Sequence, residues 1–191
     1  QALSKTFKEC AAEFIRSHEA GWKSAKHTAQ WSATLETYAY PTIGDLAVQN
    51  IKVAHVKKVI EPIWSTKNET AERVRSRIEK VLAWATVHGY RTGDNPARWS
   101  GYLSEIFPKR AAVRKVKHHP ALPYLELPAF MRLLENTSGQ GAWMLRFLIL
   151  TATRTTETRA AEWSEIDMEE RLWCIPAERM KASRPHRVPL S

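Results

Sequence analysis

The chain has 191 residues, 43% hydrophobic and 26% charged, which suits one large or two small domains with a real core and excludes wholesale disorder. It has no apolar run of bilayer-spanning length, no signal-peptide pattern in QALSKTFKEC, and two cysteines, Cys10 and Cys174, that match no metal or redox spacing, so a reduced cytoplasmic protein is expected. The net charge is +9, and residues 1–120 carry all of it: 20 basic against 11 acidic side chains there, nine of each in 121–191. That asymmetry predicts a polyanion-binding first unit joined to a second unit of different construction.

In chain order, TFKECAAEFIRSHEAGW opens with the capping pair Thr6 and Glu9 and repeats Phe7, Ala11, Phe14, Ile15 and His18 at helical spacing, with Gly21 as the stop. SAKHTAQWSATLETYAYP places Trp31, Leu35 and Tyr38 on one face before Pro41. IGDLAVQNI turns into a short helix, KVAHVKKVI, expected to give way at Pro62. NETAERVRSRIEKVLAWATVHG is the clearest helix, with Val74, Ile78, Val81, Leu82 and Ala85 along one side and Gly89 closing it. Four helices joined by short loops predict an all-α bundle.

RTGDNPARWSGYL is loop chemistry with a turn at 93–96 and Trp99 as an anchor. PKRAAVRKVKHHPALP gathers Lys109, Arg110, Arg114, Lys115 and Lys117 before Pro120 and Pro123, and predicts an extended linker. Beyond it, ELPAFMRLLENTSG predicts an amphipathic helix ending near Gly139, and GAWMLRFLILTAT a central, buried helix. TTETRAAEW continues helical, and LWCIP and HRVPL predict short strands about the turn-like AERMKASRP.

Two basic rows stand out. On the 68–89 helix Arg73, Arg77 and Lys80 fall within roughly 60° of one another at about 100° per residue. On the second helix Lys23, Lys26, His27 and Gln30 form an i, i+3, i+4, i+7 row. Either row alone reads as a solvated helix face. Together with the basic linker and the charge asymmetry they predict a nucleic-acid partner neutralised through its phosphates. Charge does not choose between DNA and RNA, and no aromatic platform of the single-strand-binding kind is evident.

Arg154 ends the most hydrophobic segment of the chain, where a charge is costly unless paired. Either Glu157 or Glu162 pairs with it, or it awaits an anion such as a phosphate, to which a guanidinium offers two parallel donors.

LTATRTTETRAAEWSEIDM followed by IPAERMKASRPHRVPLS resembles the tyrosine recombinase (phage integrase) family, most closely its prophage and genomic-island integrases. TATRTTE at 151–157 is similar to the family's TG-x-R-x-x-E element, with Ala152 in the glycine's place, and Lys181 stands seven residues before Val188, as the family's hairpin lysine stands before the valine of VPL. WSATLETYAYPTIGDLAV, TAERVRSRIEKVLAWA and GDNPARW resemble the core-binding domain of the same group.

The resemblance implies a mainly α protein. Residues 1–108 would form an all-α core-binding (SAM-like) four-helix bundle that binds DNA, 109–122 a basic interdomain linker, and 123–191 the first part of a truncated α+β catalytic domain with a short β-hairpin. It implies cleavage and rejoining of DNA strands through a 3′-phosphotyrosyl intermediate, without metal or nucleotide cofactor. Arg154 would stabilise charge on the phosphoryl oxygens, Lys181 would protonate the departing 5′-oxygen, Glu157 would brace the arginine's helix, and His186 would serve the hairpin or touch DNA. The implied partners are a duplex core site, a homotetramer on that DNA and accessory DNA-bending proteins.

The family's H-x-x-R element and nucleophilic tyrosine lie C-terminal to the hairpin, whereas the tyrosines here, at 38, 40, 90, 102 and 124, all precede Arg154. The chain is therefore expected to be a fragment that binds DNA without cutting it, lacking also the N-terminal arm-binding domain, with an underpacked 143–150 helix prone to self-association. The alternatives are a standalone DNA-binding module or regulator derived from an integrase, and a helical interaction protein with a basic face.

Overall fold

Thr6 begins the first helix as expected. Its hydroxyl accepts the Glu9 amide at 3.3 Å, and the Glu9 carboxylate accepts the Thr6 amide at 2.7 Å, so two amides without helical partners are satisfied. Helix α1, Phe7–His18, buries Phe7, Cys10, Ala11, Phe14 and Ile15. It tightens into a 3-10 turn, Glu19–Gly21, so the helical path ends at Gly21 as expected, and Ser17 Oγ and His18 Nδ1 both bond the Phe14 carbonyl at 2.9 Å. His18 is exposed rather than part of the apolar row, its ring stacked on Phe14. The computed structural model describes residues 4–22, 25–113 and 119–190.

Helix α2, Ala25–Tyr38, buries Trp31 and Leu35, and Pro41 falls in a π-helical turn over Tyr40–Gly44. Helix α3, Val53–Trp64, runs through Pro62 instead of ending there. The proline forfeits only one hydrogen bond, to the carbonyl of the exposed residue Lys58, and buried Ile60 and Trp64 hold the last turn down. Helix α4, Asn68–Val87, buries Val74, Ile78, Val81, Leu82 and Ala85. Gly89 ends it at φ +75°, with the Tyr90 amide on the Ala85 carbonyl and the Gly89 amide on Thr86, a Schellman closure.

These four helices enclose one core, sealed by the loop that follows: Trp99 stacks on Trp64 at 5.4 Å, and buried Arg91 donates to the carbonyls of Val48 and Asp94. Where an extended linker was expected, Arg110–Val113 forms a short helix, α5, whose first turn bonds the Lys109 carbonyl and whose Val113 packs on the core.

The chain divides into two compact units, Gln1–Lys117 and His118–Ser191. In the second, α6 spans Leu127–Glu135 and stops at Asn136, earlier than expected. Gly139, at φ +113°, instead starts α7, Gln140–Thr151. The expectation that α7 is a buried central helix fails: none of its residues is buried, and Trp143 and Leu150 are 65% and 62% exposed. Its apolar residues point all round the axis, whereas the buried core cluster among the described residues of this unit is small, Trp173, Ile175 and Val188, with Phe147 packed against it. Helix α8, Thr155–Arg159, follows, then an antiparallel sheet of β1 (Ile166–Asp167), β2 (Leu172–Ile175) and β3 (His186–Pro189) in that order. Trp173 lies opposite Val188 and Ile175 opposite His186. The protein is mainly α with one small sheet, as expected.

Candidate nucleic-acid interface and catalytic positions

The first unit holds a groove of about 940 Å³ lined from α1, α2, α4 and the turn after α1. It brings His27 and Gln30 of one predicted row together with Arg73, Arg77 and Lys80 of the other. Lys26 is exposed on α2 without lining it, and Lys109 is exposed immediately before α5. Arg110 begins α5, and Lys23, Arg114, Lys115 and Lys117 lie outside the described residues.

Within the groove the cations differ. Arg73 is 69% exposed, with Glu69 at 3.7 Å, and Lys80 is exposed. Arg77, expected on the solvent face, is buried: it is 8% exposed, donates to the Gln30 carbonyl, and lies 5.1 Å from the centre of the Trp31 ring. Burial, with the Arg73 charge nearby, holds its pKa below the usual guanidinium value. Arg77 thus ties α4 to α2, while Arg73 and Lys80 face outward. Glu72 also lines the groove, but it is engaged by Arg75 at 2.8 Å.

Sequence reasoning missed the aromatic lining. Trp22, Trp31 and Trp84 share this groove with His18 and His27. Trp84 could have been found by extending the row Arg73, Arg77, Lys80 by four residues. Trp22 sits in an irregular segment that no period reaches. The rings close mainly on one another: Trp22 stacks on Trp31 at 5.3 Å, Trp84 on His88 at 3.8 Å, and Trp31 Nε1 donates to His27 Nε2 at 3.2 Å. They wall a groove rather than stand open as a stacking platform.

In the second unit, Ala152 ends α7 in the left-handed conformation, φ +52° and ψ +27°. A chain of hydroxyls, Thr151 to Thr153 at 2.9 Å and Thr153 to Thr158 at 2.8 Å, pins the reversal. Arg154 then lies extended ahead of α8, its amide donating to Glu157 Oε2 at 2.9 Å and its Nη1 to Glu157 Oε1 at 2.7 Å. Glu157 is 3% exposed and the Arg154 side chain 61%. The pairing with Glu157 expected for the arginine is present through one nitrogen, while most of its side chain stays exposed. Burial pushes the Glu157 carboxyl up, but the Arg154 amide and guanidinium, aided by the His186 charge, outweigh it and hold it below the usual carboxylate range.

Lys181 is exposed on the connection between β2 and β3, and His186 is the exposed first residue of β3. Chemically, a guanidinium with a fixed root can take the oxygens of a phosphate, and an ammonium on a turn can deliver a proton.

Residues 7–102 match the family model described as the phage integrase central domain. The chain is 33% identical to prophage integrase IntZ of Escherichia coli K12, over 99% of this chain and 45% of that protein, and 29% identical to the integrase of Enterobacteria phage P4, over 97% and 44%. It spans about half the length of the curated relatives it matches. Among solved structures, the Tn1549 transposon integrase with a circular intermediate DNA superposes at TM-score 0.75 with 13% identity, covering 98% of this chain and 62% of that one. A lambda integrase tetramer bound to a Holliday junction superposes at 0.72 with 14% identity, covering 97% and 51%. These two share the fold, and the central-domain match over residues 7–102 carries the conclusion that the chain belongs to the phage integrase family of tyrosine recombinases.

Proposed function

We propose that these residues are the DNA-binding part, and a share of the strand-cleaving part, of a site-specific recombinase acting on duplex DNA. The observation that carries this is one groove of about 940 Å³ that gathers Arg73, Arg77 and Lys80 of α4 beside His27 and Gln30 of α2, in a chain of this family. Residues 1–108 act as the core-binding domain, 109–122 as a basic linker and 123–191 as the first part of the catalytic domain. Arg73 and Lys80 neutralise phosphates, and Arg77 sets the spacing of the helices that carry them.

In the reaction a tyrosine oxygen bonds to phosphorus as the bond from phosphorus to the 5′-oxygen breaks. The tyrosine proton passes to a base, and the Lys181 ammonium gives its proton to the departing oxygen. Arg154 stabilises the phosphoryl oxygens, and Glu157 braces its root. The nucleophile comes from outside these residues, since no tyrosine here follows Arg154. The 191 residues alone bind DNA without cutting it, and the whole recombinase works as a tetramer on its site, with accessory DNA-bending proteins.

The test is a fluorescence anisotropy titration of this chain with duplex DNA at several salt concentrations. The expected result is an affinity that falls steeply and linearly in log–log form as salt rises. An affinity indifferent to salt would remove the DNA reading.

A further inference from the structure

Lys181 is a long, exposed side chain on a connection between strands, and a general acid must arrive at one oxygen. What holds its root is therefore a question the proposed chemistry raises, and the neighbouring residues answer it. Arg179, two positions earlier, turns inward. Its Nη2 meets Glu165 Oε2 at 2.6 Å, with the two side chains only 22% and 11% exposed. The same carboxylate oxygen accepts the indole N–H of Trp173 at 2.9 Å, and Trp173 is fully buried at the centre of the unit. Arg179 Nε and Nη1 are buried without an acceptor among the described residues, so Glu165 carries the pairing. Met180, directly before Lys181, packs on the Trp173 cluster, and its carbonyl accepts the Ser183 amide at 3.0 Å.

We infer that Arg179, clamped by Glu165 to Trp173, is a positioning residue that fixes the backbone from which Lys181 reaches the leaving 5′-oxygen. The inference rests on the proposed role of Lys181 as proton donor. The clamp and the seated Met180 pin the connection immediately N-terminal to Lys181, while the lysine's own four-carbon stem stays outside. Proton delivery then depends on a buried ion pair that never touches DNA. A weakened clamp leaves the lysine present and charged but poorly aimed, so its cost falls on leaving-group protonation and on no other step.

That selectivity sets the experiment, made in the full-length recombinase that contains this chain. Strand cleavage is compared on an ordinary duplex and on one with sulfur replacing the bridging 5′-oxygen at the scissile phosphate. Sulfur leaves as a thiolate and needs no proton. Arg179→Ala is expected to cleave the oxygen substrate about tenfold to a hundredfold more slowly and the sulfur substrate at close to the unmodified rate, as Lys181→Ala does. Arg179→Lys, which keeps a cation for Glu165, recovers part of the oxygen-substrate rate. If Arg179→Ala loses its fold, Glu165→Gln gives the same comparison, since it discharges the pair and keeps an acceptor for Trp173. Rescue of Lys181→Ala by sulfur without rescue of the clamp variants overturns the positioning role and leaves the general acid standing. Equal rates for clamp variants and unmodified enzyme on the oxygen substrate overturn it too. No rescue of Lys181→Ala removes the general acid, and with it this inference.

Discussion

Ala152 holds a left-handed φ of +52° at the sharp reversal between α7 and Arg154. A Cβ in that region costs about 1–2 kcal/mol, and the recombinase pattern that this stretch resembles has glycine there. Ala152→Gly is therefore expected to raise stability, by about 1 kcal/mol after the extra freedom of the unfolded glycine is deducted. Urea unfolding measures it, and a lower midpoint for the variant would mean that the alanine methyl packs usefully. Five residues beyond Ala152, the depressed pKa of Glu157 makes a second prediction. A carboxyl held below its ordinary value, 4.5, stabilises the fold fully above that value and ceases to do so as the pH falls through the folded one. Unmodified protein should lose stability as the pH falls below 4.5 and through the folded value, and Glu157→Gln should start lower and change less over that fall. Parallel curves for the two would detach Glu157 from the acid response.

At the scale of elements, the groove of the first unit depends on how α2 and α4 are joined. Arg77 and Lys80 lie one turn apart on α4 and were equivalent in the sequence. Arg77 bonds the Gln30 carbonyl from a buried position, while Lys80 stays exposed, 5.9 Å over Trp31. The two should separate by experiment. Arg77→Met is expected to destabilise the fold by roughly 0.5–1.5 kcal/mol, the net worth of one hydrogen bond, since the Thr34 hydroxyl still bonds the Gln30 carbonyl, and to leave the salt slope of DNA binding unchanged. Lys80→Ala should change stability by less than about 0.5 kcal/mol and reduce that slope by about 1. A reduced slope in Arg77→Met would place that guanidinium on a phosphate. Periodicity could not divide the pair, because it gives the angle of a residue around its helix and not which neighbour lies across from it. Trp22 escaped for a related reason, being positioned by its stacking on Trp31 and not by any helical period.

The whole molecule shows one unit with a closed core and one with a thin one. Among the described residues, twenty-four buried hydrophobic side chains cluster in the first unit and three in the second, where Leu133, Trp143, Leu150 and Trp163 are all more than half exposed. Trp143 and Trp163 line one groove of about 700 Å³. Apolar surface of this kind drives association. Sedimentation velocity should show concentration-dependent self-association of the 191-residue chain, weakened in a Trp143→Ser, Leu150→Glu double variant. A monomer at all concentrations would show that the exposed side chains do not act together. Among the described residues no helix is long and apolar enough to cross a membrane.

From the sequence by itself came everything that depends on neighbours along the chain. The Thr6–Glu9 cap, the core face of α4, the Gly89 stop, the two hairpin strands and the motif around Arg154 are all set within a few residues of where they act. The sequence also supplied the charge asymmetry, which is a sum and needs no fold. Tertiary structure decided what depends on residues far apart. It carried α3 through Pro62, coiled residues 110–113 onto a core surface, left α7 uncovered and turned Arg77 inward to the Gln30 carbonyl. It also joined Arg179, Glu165 and Trp173 into a clamp beside Lys181. The reason is that burial and pairing are settled by whichever surfaces meet, and a helix or turn specified locally carries no record of what it will meet.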